Sequence, residues 1–345
     1  MHFSAAPWIW ILLTAAALVC TAALLRSRWE RGQLETVKYS FRWSRAGGLF
    51  KAEPAGFKAE AAVSDAKETD TCRFVFLSDL HDYCRDYGDG ALLSEIMQCR
   101  PDFVLLGGDM ITCRKETKWK AETEASRAFI EKLAENCPVF YGEGNHEARL
   151  QESIPEIWEN YRKALEKAGV IFLKDRAVLF NGLSICGVSL DEMYYNRMFP
   201  GFGRKTPLPG DYLMKKLGMP AAEHMNILLL HSPMYLREAA AWGADLVLSG
   251  HFHGGTIRLP LPGEPGLMTP QFQFLVKECS GMHSVLTGDD DGSGRRRGPH
   301  RQAMMISNRG LGTHSINIRL RDLPEISLVE IEKCQIPAAA GREKE

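Results

Sequence analysis

Five apolar runs in this chain each stop on residues that can bind a cation, and no other feature of the sequence constrains its fold as much. "RFVFLSDLH" closes on Asp79 and His81, and "DFVLLGGD" closes on Asp109. "PVFYGEGNHE" closes on Asn145, His146 and Glu147, "MNILLLHS" on His231, and "ADLVLSGHFHGG" on His251 and His253. Short runs without polar alternation read as strands buried on both faces, the kind found in parallel sheets. Between them lie segments with apolar residues at helical spacing. In "GALLSEIMQC" these are Leu92, Leu93, Ile96 and Met97; in "SRAFIEKLAEN" they are Phe129, Ile130 and Leu133. "IPEIWENYRKALEKAG" and the stretch from Leu236 to Trp242 also read as helices. This alternation predicts an α/β architecture with mainly parallel central strands. In such sheets ligands bind beyond the C-terminal ends of the strands, which is where all these polar residues fall.

Taken singly, each residue has a plain structural explanation. An Asp after a strand caps a helix or closes a turn, and a lone His is commonly a hydrogen-bonded core or surface group. Those explanations would have to hold independently at five strand ends in order, whereas one shared ligand accounts for all of them. Three or four N and O donors hold one divalent ion. Asp79, His81, Asp109, Asn145, His231, His251 and His253 can therefore hold two ions if one carboxylate bridges. Imidazole and carboxylate without thiolate suit Mn, Fe, Zn or Co, and do not choose among them. If the extended geometry of each strand persists past its end, Asp79 and His81 share a side. His251 and His253 then flank an outward-pointing Phe252. The glycines beside these residues let backbone and substrate come close to the ions.

The ordered series D-x-H (Asp79, His81), G-D (Gly108, Asp109), G-N-H-E (Gly144 to Glu147), H (His231) and G-H-x-H (Gly250 to His253) resembles the calcineurin-like metallophosphoesterase superfamily. The wording around it ("SDLHDY", "WGADLVLSGHFHGG", "SNRGLGTH") is similar to the bacterial membrane-anchored branch, the YaeI- and YkuE-like phosphoesterases. The resemblance implies a four-layer α/β/β/α sandwich with two divalent metal ions at the strand ends. It implies that Asp79, His81 and His253 hold one ion, that Asn145, His231 and His251 hold the other, and that Asp109 bridges them. His146 becomes the catalytic histidine that binds no metal and hydrogen-bonds the phosphoryl or leaving oxygen, with Glu147 in a supporting role. Superfamily protein phosphatases carry G-D-x-V-D-R-G at the bridging Asp. Here the text is "GGDMITCR", which leaves Arg114 out of step with that phosphate clamp. The departure favours a phosphodiester or pyrophosphate over a phosphoprotein.

The N-terminus suggests where such a substrate lies. Trp8 to Leu25 is an uncharged apolar run of 18 residues, close to what a helix needs to cross a bilayer. Arg26, Arg28 and Arg31 follow it, which by the positive-inside rule puts the body in the cytoplasm, anchored to the cell membrane by a single pass. Residues 1–31 are thus expected to form the anchor. Residues 32–71 hold a first strand in "TVKYSFRW" and then a linker, 72–333 form the catalytic domain, and 334–345 form a tail. The charge blocks and glycines of 287–302 read as a mobile, solvated insertion. A formal net charge of −1, with no basic stripe, argues against a nucleic-acid partner. Nine cysteines without a C-x-x-C pair argue against a disulfide framework. The expected substrate is a membrane- or envelope-associated phosphoester, lipid-linked in one form. Two other readings also fit: a membrane-tethered metal-binding protein without turnover, and a nuclease-type phosphodiesterase. No residue pattern fixes an oligomeric state.

Overall fold

The computed structural model describes residues 7–44, 53–54, 71–81, 90–115, 119–195, 206–287, 301–313 and 317–334. Its first strands are β1 (Glu35–Ser44), β2 (Glu53–Pro54), β3 (Thr71–Leu77), β4 (Phe103–Leu106), β5 (Thr112–Lys115) and β6 (Trp119–Glu122). Next come β7 (Val139–Tyr141), β8 (Ile171–Phe172), β9 (Arg176–Phe180), β10 (Leu183–Val188), β11 (Met225–Leu230) and β12 (Leu246–Ser249). The last are β13 (Gly266–Met268), β14 (Phe274–Val276), β15 (Gly281–Thr287), β16 (Arg301–Ser307) and β17 (Glu325–Cys334). Seven make one sheet in the order β2-β1-β17-β3-β4-β7-β8, and six make a second in the order β15-β16-β12-β11-β10-β9. The pairs β5–β6 and β13–β14 are separate hairpins.

All five strands expected to carry ligands lie in parallel blocks. These are β3-β4-β7-β8 in one sheet and β10-β11-β12-β16 in the other. Side-chain alternation along each strand divides the interior into layers. Phe74, Phe76, Phe103, Leu105 and Phe140 of the first sheet meet Ile185, Ile227, Leu229, Leu246 and Leu248 of the second. The intervening Val75, Leu77, Val104 and Leu106 face the other way, against helices α2 (Ala91–Gln98), α3 (Glu124–Ala134) and α5 (Pro155–Lys167). The outer face of the second sheet packs through Leu228, Leu230 and Val247 on α6 (Tyr212–Leu217) and α7 (Leu236–Trp242). The result is the expected four-layer α/β/β/α sandwich. Each fully buried Phe or Leu contributes roughly 1.5–3 kcal/mol. The inter-sheet layer, rich in such residues, therefore fixes the two rows of strand ends relative to each other.

Helix α1 (Pro7–Arg31) is long and apolar enough to cross a membrane. Trp8, Ile11, Leu12, Leu18, Val19 and Leu25 are each more than half exposed. Its last turn is different: Ser27 and Glu30 are buried. The backbone N–H of Arg319 donates to Ser27 Oγ at 3.0 Å, and that of Asp322 donates to Glu30 Oε2 at 3.3 Å. The strand read in "TVKYSFRW" is β1, and its parallel partner is β17, from Glu35↔Glu325 to Ser44↔Cys334. Of the charged stretch 287–302, Thr287 and residues 301–302 belong to the paired strands β15 and β16. Residues 288–300, most of the expected linker and His314 lie outside the described residues. Cys20, Cys99, Cys113, Cys137, Cys186 and Cys279 are free thiols.

Candidate metal centre

The sheets deliver the sequence-predicted residues to one place. Asp79 and His81 follow β3, Asp109 follows β4, His231 follows β11, and His251 and His253 follow β12. Asn145 and His146 open helix α4 (Asn145–Ser153), which begins just past β7. All eight side chains are at most 4% exposed. The local backbone is not the extended one that alternation implies. Asp79, His81, Asp109, His251 and His253 have φ of 52°, 50°, 52°, 67° and 47°. The chain leaves β3, β4 and β12 through left-handed turns, at roughly 1–3 kcal/mol per non-glycine residue. The convergence of the side chains comes from these turns and not from strand geometry carried onward. Phe252 is itself buried, with its ring centroid 5.8 Å from that of His251.

Two glycines are required here by space. A Cβ on Gly250 would collide with the Asp79 carboxylate, and one on Gly144 with the Asp109 carboxylate. The β3 and β4 carboxylates thus rest against bare backbone from neighbouring strand ends. The N–H of His251 donates to both Asp79 oxygens at 3.0 Å, and that of His146 donates to Asp109 Oδ1 at 2.8 Å.

The donors form three overlapping groups: Asp79 with His81 and His253, Asp109 with His231 and His251, and Asp109 with His81 and His146. Within each group the ligand atoms lie within 4.8 Å of one another. Asp109 belongs to two groups, with Oδ2 at 3.2 Å from His231 Nε2 and 4.0 Å from His146 Nε2. His253 Nε2 lies 3.2 Å from Asp79 Oδ1 and 3.0 Å from His81 Nε2.

The hydrogen bonds on the far side of the rings suit cation binding. His231 Nδ1 donates to the carbonyl of Gly107 at 2.8 Å, and His253 Nδ1 to that of Gly312 at 3.2 Å. In each case Nε2 is left to present its lone pair inward, the orientation expected of a metal-binding histidine. The buried Oδ1 of Asn145 has no hydrogen-bond partner among the described residues, which fits an oxygen meant for an ion. Electrostatics agree. Burial alone would depress His231, but the carboxylates of Asp109 and Asp79 outweigh it and lift the imidazole to about 10, so that Nε2 carries a proton which a bound cation would displace to reach the lone pair. Burial would raise Asp109, yet His231, His146 and His81 hold it well below the usual carboxylate range. A site with that field stabilises positive charge.

His146 is arranged differently. Its Nδ1 accepts the backbone N–H of Cys113 at 2.8 Å, so the neutral ring carries its proton on Nε2, the atom facing Asp109. Burial, followed by the cationic side chains of Arg149 and Arg114, depresses it to about 4 against the pull of Asp109.

Sequence reasoning missed most of what supports these residues. Ser78 Oγ donates to Asp79 Oδ2 at 2.6 Å and lies 3.1 Å from Asn308 Oδ1, bringing the "SNRGLG" segment to the site. Arg309 pairs with Glu325 and Glu35, and not with the metal cluster. The Tyr195 ring lies 5.0 Å from that of His251 and 6.0 Å from that of His231, with nothing in "DEMYY" to announce it. Glu147 is more structural than its place beside His146 suggests. It accepts the N–H groups of Asp109, Met110 and Gly144 and the hydroxyl of Tyr141, at 2.7–2.9 Å. Glu147→Ala strips four buried donors of their acceptor, at about 1–3 kcal/mol for each one left unsatisfied. The expected result is at least about 3 kcal/mol of lost stability in urea or thermal unfolding, with Glu147→Gln milder because it keeps an oxygen.

Comparison with known proteins agrees with this geometry. A family model described as calcineurin-like phosphoesterase matches residues 72–255. The chain is 26% identical over 266 residues to Phosphodiesterase YaeI of Escherichia coli (strain K12), covering 75% of this chain and 82% of that protein. It is 27% identical over 192 residues to an uncharacterized metallophosphoesterase of Helicobacter pylori (strain ATCC 700392 / 26695), covering 54% of this chain and 45% of that protein. It is 24% identical over 204 residues to the uncharacterized metallophosphoesterase YkoQ of Bacillus subtilis (strain 168), with coverages of 59% and 63%.

Proposed function

The chain belongs to the calcineurin-like phosphoesterase family and is a metal-dependent phosphoester hydrolase, and we propose that it cleaves a phosphodiester or pyrophosphate bond in a membrane- or envelope-associated substrate. The proposed centre takes two divalent ions. Asp79, His81 and His253 would hold one, and His231 and His251 with Asn145, whose buried Oδ1 lacks a partner, would hold the other, with Asp109 able to serve both. When bound, such ions supply nucleophile activation and charge neutralisation on the phosphoryl oxygens. The chain's own groups do the rest. Gly107 and Gly312 fix the tautomers of His231 and His253 through their carbonyls. His146 offers its Nε2–H to an oxygen of the reacting group, because Cys113 occupies Nδ1. The strand-end glycines leave a phosphate room to approach.

The observation that carries the substrate class is the link between α1 and the site. We read Trp8 to Leu25 as a single membrane span, with the catalytic domain on the cytoplasmic side after Arg26, Arg28 and Arg31. Asp322 receives the last turn of that helix through Glu30, and a Cβ on Gly254, next to His253, would meet the Asp322 carboxylate. A site held this close to the end of a span favours substrates in the bilayer. The test uses purified full chain in vesicles. Chelation should abolish cleavage of bis-p-nitrophenyl phosphate, and Mn²⁺ should restore it. A membrane-embedded pyrophosphate should then be cleaved in preference to single-stranded DNA. Turnover that survives chelation would end the metal-dependent reading, and preference for DNA would end the membrane-substrate reading.

A further inference from the structure

We propose that residues 257–276, the loop after the metal centre and the β13–β14 hairpin, form a second contact with the membrane, dipping apolar side chains into the bilayer interface beside α1. The inference rests on reading α1 as a span. Four side chains in this segment are exposed although apolar: Leu261 (49%), Leu267 (36%), Phe274 (53%) and Leu275 (55%). Several large apolar side chains left uncovered on one short segment mark an interaction surface.

The position of α1 indicates what covers them. If the hydrocarbon-spanning part ends at Leu25, Ser27 lies about 3 Å further along the helix axis and Glu30 about 7.5 Å, at about 1.5 Å per residue. The headgroup layer is about 5–8 Å deep on each side. Arg319 and Asp322, which bond to Ser27 and Glu30, therefore sit at headgroup depth. The 257–276 segment is tied to the same loop. The N–H of Arg258 donates to the Leu320 carbonyl at 3.0 Å, and the N–H of Leu320 donates to the Thr256 carbonyl at 3.2 Å. Glu264 accepts from both Arg258 (2.8 Å) and Arg321 (3.2 Å), and Gly266 bridges back to Arg258. The exposed leucines thus belong to a rigid element anchored at the level of the lipid headgroups. Arg258 and Arg321 at its base carry the positive charge that favours anionic lipid.

An apolar edge beside a single span resists rotation of the domain about that span, a constraint that the span by itself does not supply. It also sets the metal centre's orientation to the lipid. His253 lies four residues before Ile257, and Phe274 lines a cavity of about 720 Å³ together with Phe252, Met234 and Phe272. The second contact would hold that cavity toward the bilayer.

The experiment uses full-length protein in phosphatidylethanolamine–phosphatidylglycerol vesicles carrying a phospholipid with a diazirine in its acyl chain. Adducts are mapped by mass spectrometry after photolysis. Leu179 and Met219, 62% and 79% exposed, serve as internal controls for exposed apolar residues elsewhere. Labelling of 257–276 should exceed that of the controls by about tenfold, together with strong labelling of α1. Leu261→Glu with Leu275→Glu should drop hairpin labelling to the control level while turnover of a soluble diester is unchanged. Labelled α1 with a hairpin at control level overturns the second contact alone. Unlabelled α1 overturns the membrane span and, with it, this inference.

Discussion

Asp109→Asn is expected to cost more than about 100-fold in metal-dependent diester hydrolysis, since even the outer partners of metal ligands produce losses of 10- to 100-fold. The substitution keeps shape and volume but changes the charge and one of the two acceptors. Oδ1 already accepts the His146 N–H at 2.8 Å, and an asparagine oxygen can keep that bond. The other position, 3.2 Å from His231 Nε2, then carries an amide NH2 where an anionic oxygen stood. It can neither share an ion between the two groups nor offset the positive charge gathered there. The fold should survive, because the Glu147 bonds to the N–H groups of Asp109 and Met110 do not involve this side chain. Bound metal per protein, near-ultraviolet circular dichroism and initial rates would be measured together. A folded variant with wild-type metal content and wild-type rates would remove Asp109 from the centre.

The strand ends were legible because their chemistry is written locally. A strand buried on both faces needs an uninterrupted apolar run, and the first polar residues after it mark where the run ends. Sequence order was therefore enough to list Asp79, Asp109, His231 and His251 together. The left-handed turns at Asp79, His81, Asp109, His251 and His253 were not legible, because positive φ is more common for Asp and His than for most residues yet still the exception, and no neighbouring residue marks where it occurs. Alternation suggested the same juxtaposition for the wrong reason. Helix α4 was missed because it begins on Asn145 and His146 themselves, with no separate apolar period to signal it. The partners of Ser78 and of the last turn of α1 lie 230 and 292 residues away in the chain, a separation over which a single sequence carries no pairing signal. The wording "SNRGLG" hinted at a role, but only the packing of β16 and β17 shows that Asn308 meets Ser78 beneath the Asp79 carboxylate.

His146→Ala tests the group that the metal-binding reading leaves over. Depressed to about 4, the imidazole is neutral throughout the physiological range, and divalent ions nearby would depress it further. Its Nε2–H is then a fixed hydrogen-bond donor to the reacting phosphoryl group and not a proton store that empties near pH 7. Loss of one such donor in a buried site lowers kcat by about 10²–10³-fold. Metal content should stay near wild type, because Nδ1 is engaged by Cys113 and the ring belongs to neither proposed ion set alone. The expected signature is a wild-type to variant ratio in kcat that is flat from about pH 6 to pH 9, since any protonation of His146 would fall well below that window. A ratio that collapses as pH drops below 7 would mean that His146 titrates there and acts by proton transfer. Loss of metal together with activity would instead make it a ligand.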